Sequence, residues 1–214
     1  MTRKTVYGAA LVAFVAATAM TIAAIVMPRW VSYSVDTDRG DSLYSNIGLH
    51  ERCTLMMTTT TASTAALVEK CVPFPGDDEQ QQCAAGGGPF CSMWRTAAFL
   101  MSLAIVVELA TFVAFLIVVA GGKARRESGW RILGVLLGIV AALEFYSMAL
   151  VTYVFDYSNF FLVPGYRLDT SLYLCAFSGG VALACACGLA ISAYVLPPED
   201  SYELLRDYSE CRSV

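Results

Sequence analysis

The chain has 214 residues and a net charge of −4, a length that fits one domain. Hydrophobic residues make up 57% and charged residues 15%, where a soluble domain carries about 45–50% and about 25%. That balance excludes a disordered or collagen-like chain and argues against a soluble enzyme. The acidic charge makes nucleic acid an unsuitable partner.

Residues 5–28 carry no charge, and about 20 apolar residues are enough to cross a bilayer core as a helix. The run is longer than the 7–15 apolar residues of a typical signal peptide, so a retained membrane helix is expected at about 5–27. Residues 28–94 then form the one large polar segment. It holds Cys53, Cys71, Cys83 and Cys91. An even number of cysteines on an oxidising face predicts two disulfides, and spacing leaves the three pairings open. Two alternating stretches, 30–35 and 43–49, are candidate strands. The Thr-rich run 58–64 reads as a solvated loop or a site of O-glycosylation, and His50 as a loop side chain. The loop is acidic, which attracts cations but in most proteins is only a solvated face.

Further apolar runs predict helices at about 95–120, 131–155 and 169–196. Lys123, Arg125, Arg126 and Arg131 crowd the turn between the second and third, and Arg3 and Lys4 precede the first. The positive-inside rule then puts both termini in the cytoplasm. Trp30, Trp94 and Trp130 fall at expected membrane interfaces, where an amphipathic ring sits comfortably. Cys175, Cys185 and Cys187 lie within the fourth helix and read as small apolar side chains.

Two acids fall inside these spans. Glu108 is about 13 residues from Arg95, and Glu144 about 13 from Arg131, which at 1.5 Å per residue puts both near the midplane. A charge there is expensive, and no Lys, Arg or His lies at that depth. Each carboxyl is therefore expected to keep its proton, and the two to face each other and share a hydrogen bond. Small residues recur at spacing four: Gly134 and Gly138 in the third helix, and Ala176, Gly180, Ala184, Gly188 and Ser192 in the fourth. Such faces let helices approach closely. Packing within the bundle is expected, with Gly134 and Gly138 as an alternative seat for a partner helix.

Pro197 and Pro198 end the fourth helix, and 197–214 reads as a cytoplasmic tail. Asp200, Leu204 and Leu205 fit a dileucine sorting pattern, and Tyr202 with Leu205 a tyrosine-based one. No P-loop, G-x-S-x-G or H-E-x-x-H motif occurs, the only histidine is His50, and no cysteine pair has zinc-finger spacing. No cofactor or metal is expected.

Trp30, then Gly48–Leu49–His50–Glu51–Arg52–Cys53, then Cys71, and Arg95 where the loop re-enters the membrane, resemble the claudin-like tetraspan superfamily. Its first-loop signature is W…GLW-x-x-C…C followed by an arginine. His50 stands where the signature has tryptophan, the two cysteines are 18 apart, and Cys83 and Cys91 are additional. In these respects the chain looks more like the fungal branch, with its PalI-type and eisosome-associated tetraspans. The resemblance implies an all-α, four-transmembrane-helix bundle. It also implies a small extracellular β cap closed by a Cys53–Cys71 bridge.

The expected role is non-enzymatic. The chain reads as a plasma-membrane organiser that contacts the bilayer, and itself or another membrane protein, through helix seams and its first loop. The alternatives are an auxiliary subunit of a channel, transporter or membrane synthase, and a small proton or ion transporter using Glu108 and Glu144. Fold alone does not choose among these.

Overall fold

The computed structural model describes residues 3–36, 42–59, 65–76, 88–121, 123–158, 161 and 164–195. In chain order these form α1 (Arg3–Val26), β1 (Val31–Asp36), β2 (Ser42–Ile47), β3 (Glu51–Thr59), β4 (Ala65–Pro73), α2 (Gly88–Ala120), α3 (Lys123–Tyr157), β5 (Tyr166–Leu168) and α4 (Thr170–Val195). The architecture is a four-helix bundle with a β cap.

The helices close into a ring. α1 packs on α2 and α4, and α3 packs on the same two. All four are long and apolar enough to cross a membrane. Their outward faces carry Val12, Val106, Leu109, Ile132, Val135 and Ile191, all exposed, while Thr21, Glu108, Thr111, Glu144, Ser147 and Ser178 are buried. Greasy outside and polar inside inverts the order of a soluble bundle. It suits a multi-pass membrane protein, whose polar groups must find partners among themselves. α2 and α3 begin earlier than the apolar runs suggested, at Gly88 rather than 95 and at Lys123 rather than 131. Hydropathy marks the part of a helix that sits in lipid, and the backbone ladder continues beyond it.

The cap is one antiparallel sheet in the order β4-β3-β2-β1-β5. The two strands expected from alternation are β1 and β2. β3 and β4 were not expected, and their Thr- and charge-rich sequences hide the alternation. β5, only three residues long, comes from the second loop and pairs with Val31–Tyr33. Arg167 on β5 reaches Ser32 Oγ at 3.1 Å and the Tyr44 hydroxyl at 3.1 Å, so this second-loop cation serves the sheet.

Cys53 and Cys71 face each other across β3 and β4 and are disulfide-bonded, 18 residues apart. Cys91 is also disulfide-bonded; its partner, and Cys83, lie outside the described residues. A cross-link over a loop of this length stabilises by about 3 kcal/mol, chiefly by restricting the unfolded chain. The double variant Cys53→Ser, Cys71→Ser is expected to lose about that much in unfolding experiments in detergent micelles. Peptide mapping of the unreduced native chain should recover the Cys53 and Cys71 peptides joined.

Two apolar clusters fill the bundle. One, at the cap end, gathers Trp30, Leu49, Phe74, Trp94, Met101 and Leu172. The other, at the far end, gathers Tyr7, Phe14, Phe115, Leu133, Leu137 and Leu189. Trp30 and Trp94 are fully buried in the first cluster. They are not headgroup anchors, which corrects the expectation from their position: the cap folds down over them and turns an interface into a core. Trp130 alone keeps an interfacial character, edge-on to Tyr194 with Arg131 over its ring.

Candidate functional site

The site is a polar knot between the two apolar clusters, and all four helices contribute to it. Thr21 comes from α1, Glu108 from α2, Glu144 from α3 and Ser178 from α4, and all four are fully buried. Thr21 Oγ1 is the hub. It lies 2.8 Å from Glu108 Oε1, 2.6 Å from Glu144 Oε1 and 2.7 Å from Ser178 Oγ. Ser178 Oγ donates to the Ala17 carbonyl at 2.9 Å, and Thr21 Oγ1 has a longer contact of 3.2 Å to the same oxygen.

Counting protons gives the charge state that these contacts require. The four short contacts need four protons. Each hydroxyl brings one, so the other two must come from the carboxyls. Ser178 donates to Ala17, Thr21 donates to Ser178, and the two acids donate to the two lone pairs of the Thr21 oxygen. The knot is then neutral, as a charge-averse interior demands. Glu108 Oε2 and Glu144 Oε2 are left buried with no hydrogen-bond partner among the described residues.

The expectation that the two acids meet is met in outline, but the third group that joins them, Thr21, was not foreseen. In the sequence Thr21 shows only as a small residue that continues the spacing of four from Ala9, Ala13 and Ala17 in α1. Ser178 and Gly179 were likewise passed over. Along α1 the knot is five residues before Val26, and along α4 eight after Thr170. On these two helices it sits nearer the cap than the middle.

The small-residue seams are not where the helices touch. A Cβ added at Gly134, Gly138, Gly180 or Gly188 would meet nothing within 4 Å, and Gly180, Ala184 and Gly188 are exposed. The inward face of α4 instead runs through Cys175, Ser178, Gly179, Ala182 and Leu189. Burying Ser178 in the knot sets the helix phase and turns the spacing-four seam outward. The close approach on α4 is at Gly179, where a Cβ would lie 3.1 Å from Glu144 Oε2.

The residues of the first-loop signature gather at the junction of cap and bundle. Trp30 Nε1 donates to the Ala24 carbonyl at 2.8 Å. Gly48 is a true steric requirement, since a Cβ there would come within 2.7 Å of Pro28 Cα. Leu49 is buried beneath it, and His50 is exposed in the β2–β3 turn. Arg95 lies on the first turns of α2, exposed, beside a surface recess of about 470 Å³ shared with Cys91, Ser92, Thr96 and Phe99.

Among the described residues one group has the atom types of a metal site, Glu51 with Cys53 and Cys71. Its two sulfurs are consumed by the disulfide. Cys175, Cys185 and Cys187 are free thiols on α4. The sorting residues Asp200, Tyr202, Leu204 and Leu205 lie outside the described residues. Comparison with models of protein families and with characterised proteins found no match.

Proposed function

We propose that this protein is a claudin-like organiser of the plasma membrane. It acts through lateral contacts of its helices and edge contacts of its cap, and uses no catalysis. Both termini lie in the cytoplasm, with the cap outside. The basic turn 123–131 supports that orientation. So does the disulfide in the cap, since such bonds persist on oxidising faces.

The observation that carries the reading is the free edge of the sheet. β4 ends the strand order, so among the described residues one side of a nine-residue strand presents N–H and C=O groups with no neighbouring strand. An open edge is a template for pairing with another chain. Its exposed end carries Glu69, Lys70 and Val72, opposite charges beside an apolar contact. The outward Gly180–Ala184–Gly188 seam offers a second, in-membrane surface where backbones can approach. The cap is held stiffly enough to present its edge, because Trp30 and Trp94 are anchored in the bundle core. The family reading is supported by the cap itself, the Cys53–Cys71 bridge, and the use of Trp30, Gly48 and Leu49 at the junction.

Cross-linking in native membranes, followed by purification in mild detergent, tests this. A ladder of multiples of this chain is expected. Val72→Asp should collapse it to monomer while the unfolding midpoint stays unchanged. A single foreign subunit at fixed stoichiometry, with no ladder, would replace this reading with that of an auxiliary subunit.

A further inference from the structure

We infer that the Thr21–Glu108–Glu144–Ser178 knot binds a small dehydrated monovalent cation of the sodium type, which takes the place of one carboxyl proton. Every polar atom of the knot is an oxygen, from two carboxyls, two hydroxyls and the Ala17 carbonyl, and the two left to hold an ion are Glu108 Oε2 and Glu144 Oε2. That set suits a hard cation rather than a soft one.

The proton count also points to a missing positive group. Both carboxyl protons are spent on the Oε1 side, facing Thr21. Among the described residues Glu108 Oε2 and Glu144 Oε2 have no hydrogen-bond partner, although both residues are fully buried. A buried acceptor without a donor is costly, and a cation beside these two oxygens supplies what they lack. The exchange is balanced. One ion enters, one proton leaves together with the hydrogen bond it made to Thr21, and the pair of acids then carries one proton and one ion with no net charge.

Charge and space select the ion. A divalent ion loses far more hydration energy on entering an apolar interior, and magnesium gives up its waters reluctantly. The missing Cβ at Gly179, which would stand 3.1 Å from Glu144 Oε2, leaves the space beside that oxygen open, and sodium, smaller than potassium, approaches carboxylate oxygens more closely. The ionisable groups packed against the knot are the two acids themselves and, from α4, Cys175, whose Sγ lies 3.6 Å from the Glu144 carbonyl oxygen. α1 brings only hydroxyls. Among the described residues no Lys, Arg or His stands there to neutralise the acids instead.

A crevice of about 420 Å³ runs between α1 and α4, bounded by Thr5, Ala9 and Ala13 on one side and by Gly188, Cys185 and Val181 on the other. It begins at the bundle end away from the cap. Ala13 is four residues from Ala17, and Val181 three from Ser178, so its inner end is about one helical turn, 5.4 Å, from the knot.

The test uses the full-length protein in neutral-detergent micelles and reads the unfolding midpoint. Sodium, potassium and choline chlorides are compared at equal ionic strength, at acid and at mildly alkaline pH. Sodium should raise the midpoint over choline by about 4 °C at alkaline pH. Potassium should do less, and the difference should vanish at acid pH, where protons fill both carboxyls. Glu108→Gln and Glu144→Gln should each abolish the sodium response. Equal midpoints in the three salts at both pH values would overturn the proposal and leave a purely hydrogen-bonded knot. So would a full sodium response in both Gln variants. Should neither variant fold, the wild-type salt series decides alone, and its outcome is independent of whether the protein forms ladders.

Discussion

Thr21→Val is expected to destabilise the bundle by about 2–3 kcal/mol, the largest loss from removing a single atom's chemistry in this protein. Valine keeps the shape of threonine and deletes only the hydroxyl. That hydroxyl meets Glu108 Oε1, Glu144 Oε1 and Ser178 Oγ at 2.6–2.8 Å. One interhelical hydrogen bond within a membrane averages about 0.6 kcal/mol, so three set a floor near 2 kcal/mol. Two buried carboxyls left facing each other without a mediator add to it. Thr21→Ser retains the oxygen and is expected to stay within about 1 kcal/mol of the native chain. Unfolding in mixed detergent micelles measures all three proteins. A valine variant as stable as the serine variant would remove the hub from the account. The contact also has a topological weight, because Thr21 and Glu144 sit on α1 and α3, which face each other across the ring rather than along its sides.

Trp30→Ala is expected to cost about 3–5 kcal/mol, the usual range for deleting a buried tryptophan. Trp30 is fully buried at the point where α1 hands the chain to β1. Around it, the Asp169 amide donates to the Trp30 carbonyl at 3.1 Å, and the Ser171 amide donates to the Arg29 carbonyl at 3.0 Å. These bonds tie the start of α4 to the same link. Removing the ring opens a cavity between cap and bundle, so the cap should loosen before the helices separate. The matching measurement is the rate at which a mild reductant opens Cys53–Cys71, which should rise in Trp30→Ala. Trp30→Phe isolates the hydrogen bond to Ala24 and is expected to cost about 1 kcal/mol. If the alanine variant unfolds with native stability and native disulfide protection, the cap is not anchored through this residue.

The readable parts of the sequence were those with a single physical cause. Four long apolar runs leave a backbone in lipid no choice but helix, and α1 and α4 fall within a residue or two of their expected spans. Glu108 and Glu144 were legible as a site because a carboxyl inside such a run must be paired or functional. The strands β3 and β4 were not. Their side-chain alternation is blurred by Thr58, Thr59, Glu69 and Lys70.

The sequence by itself determined that this chain spans a membrane four times, that a polar, cysteine-bearing loop stands on one side, and that two acids need partners. These follow from the free energy of moving each residue type between water and lipid, a property of the residue alone. Only the tertiary structure decided which residues complete the knot, which face of α4 turns inward, and that Trp30 and Trp94 are core rather than interface. Those outcomes depend on rotation of the helices about their axes. Period and composition leave that rotation free, and only the simultaneous packing of four helices and a cap sets it.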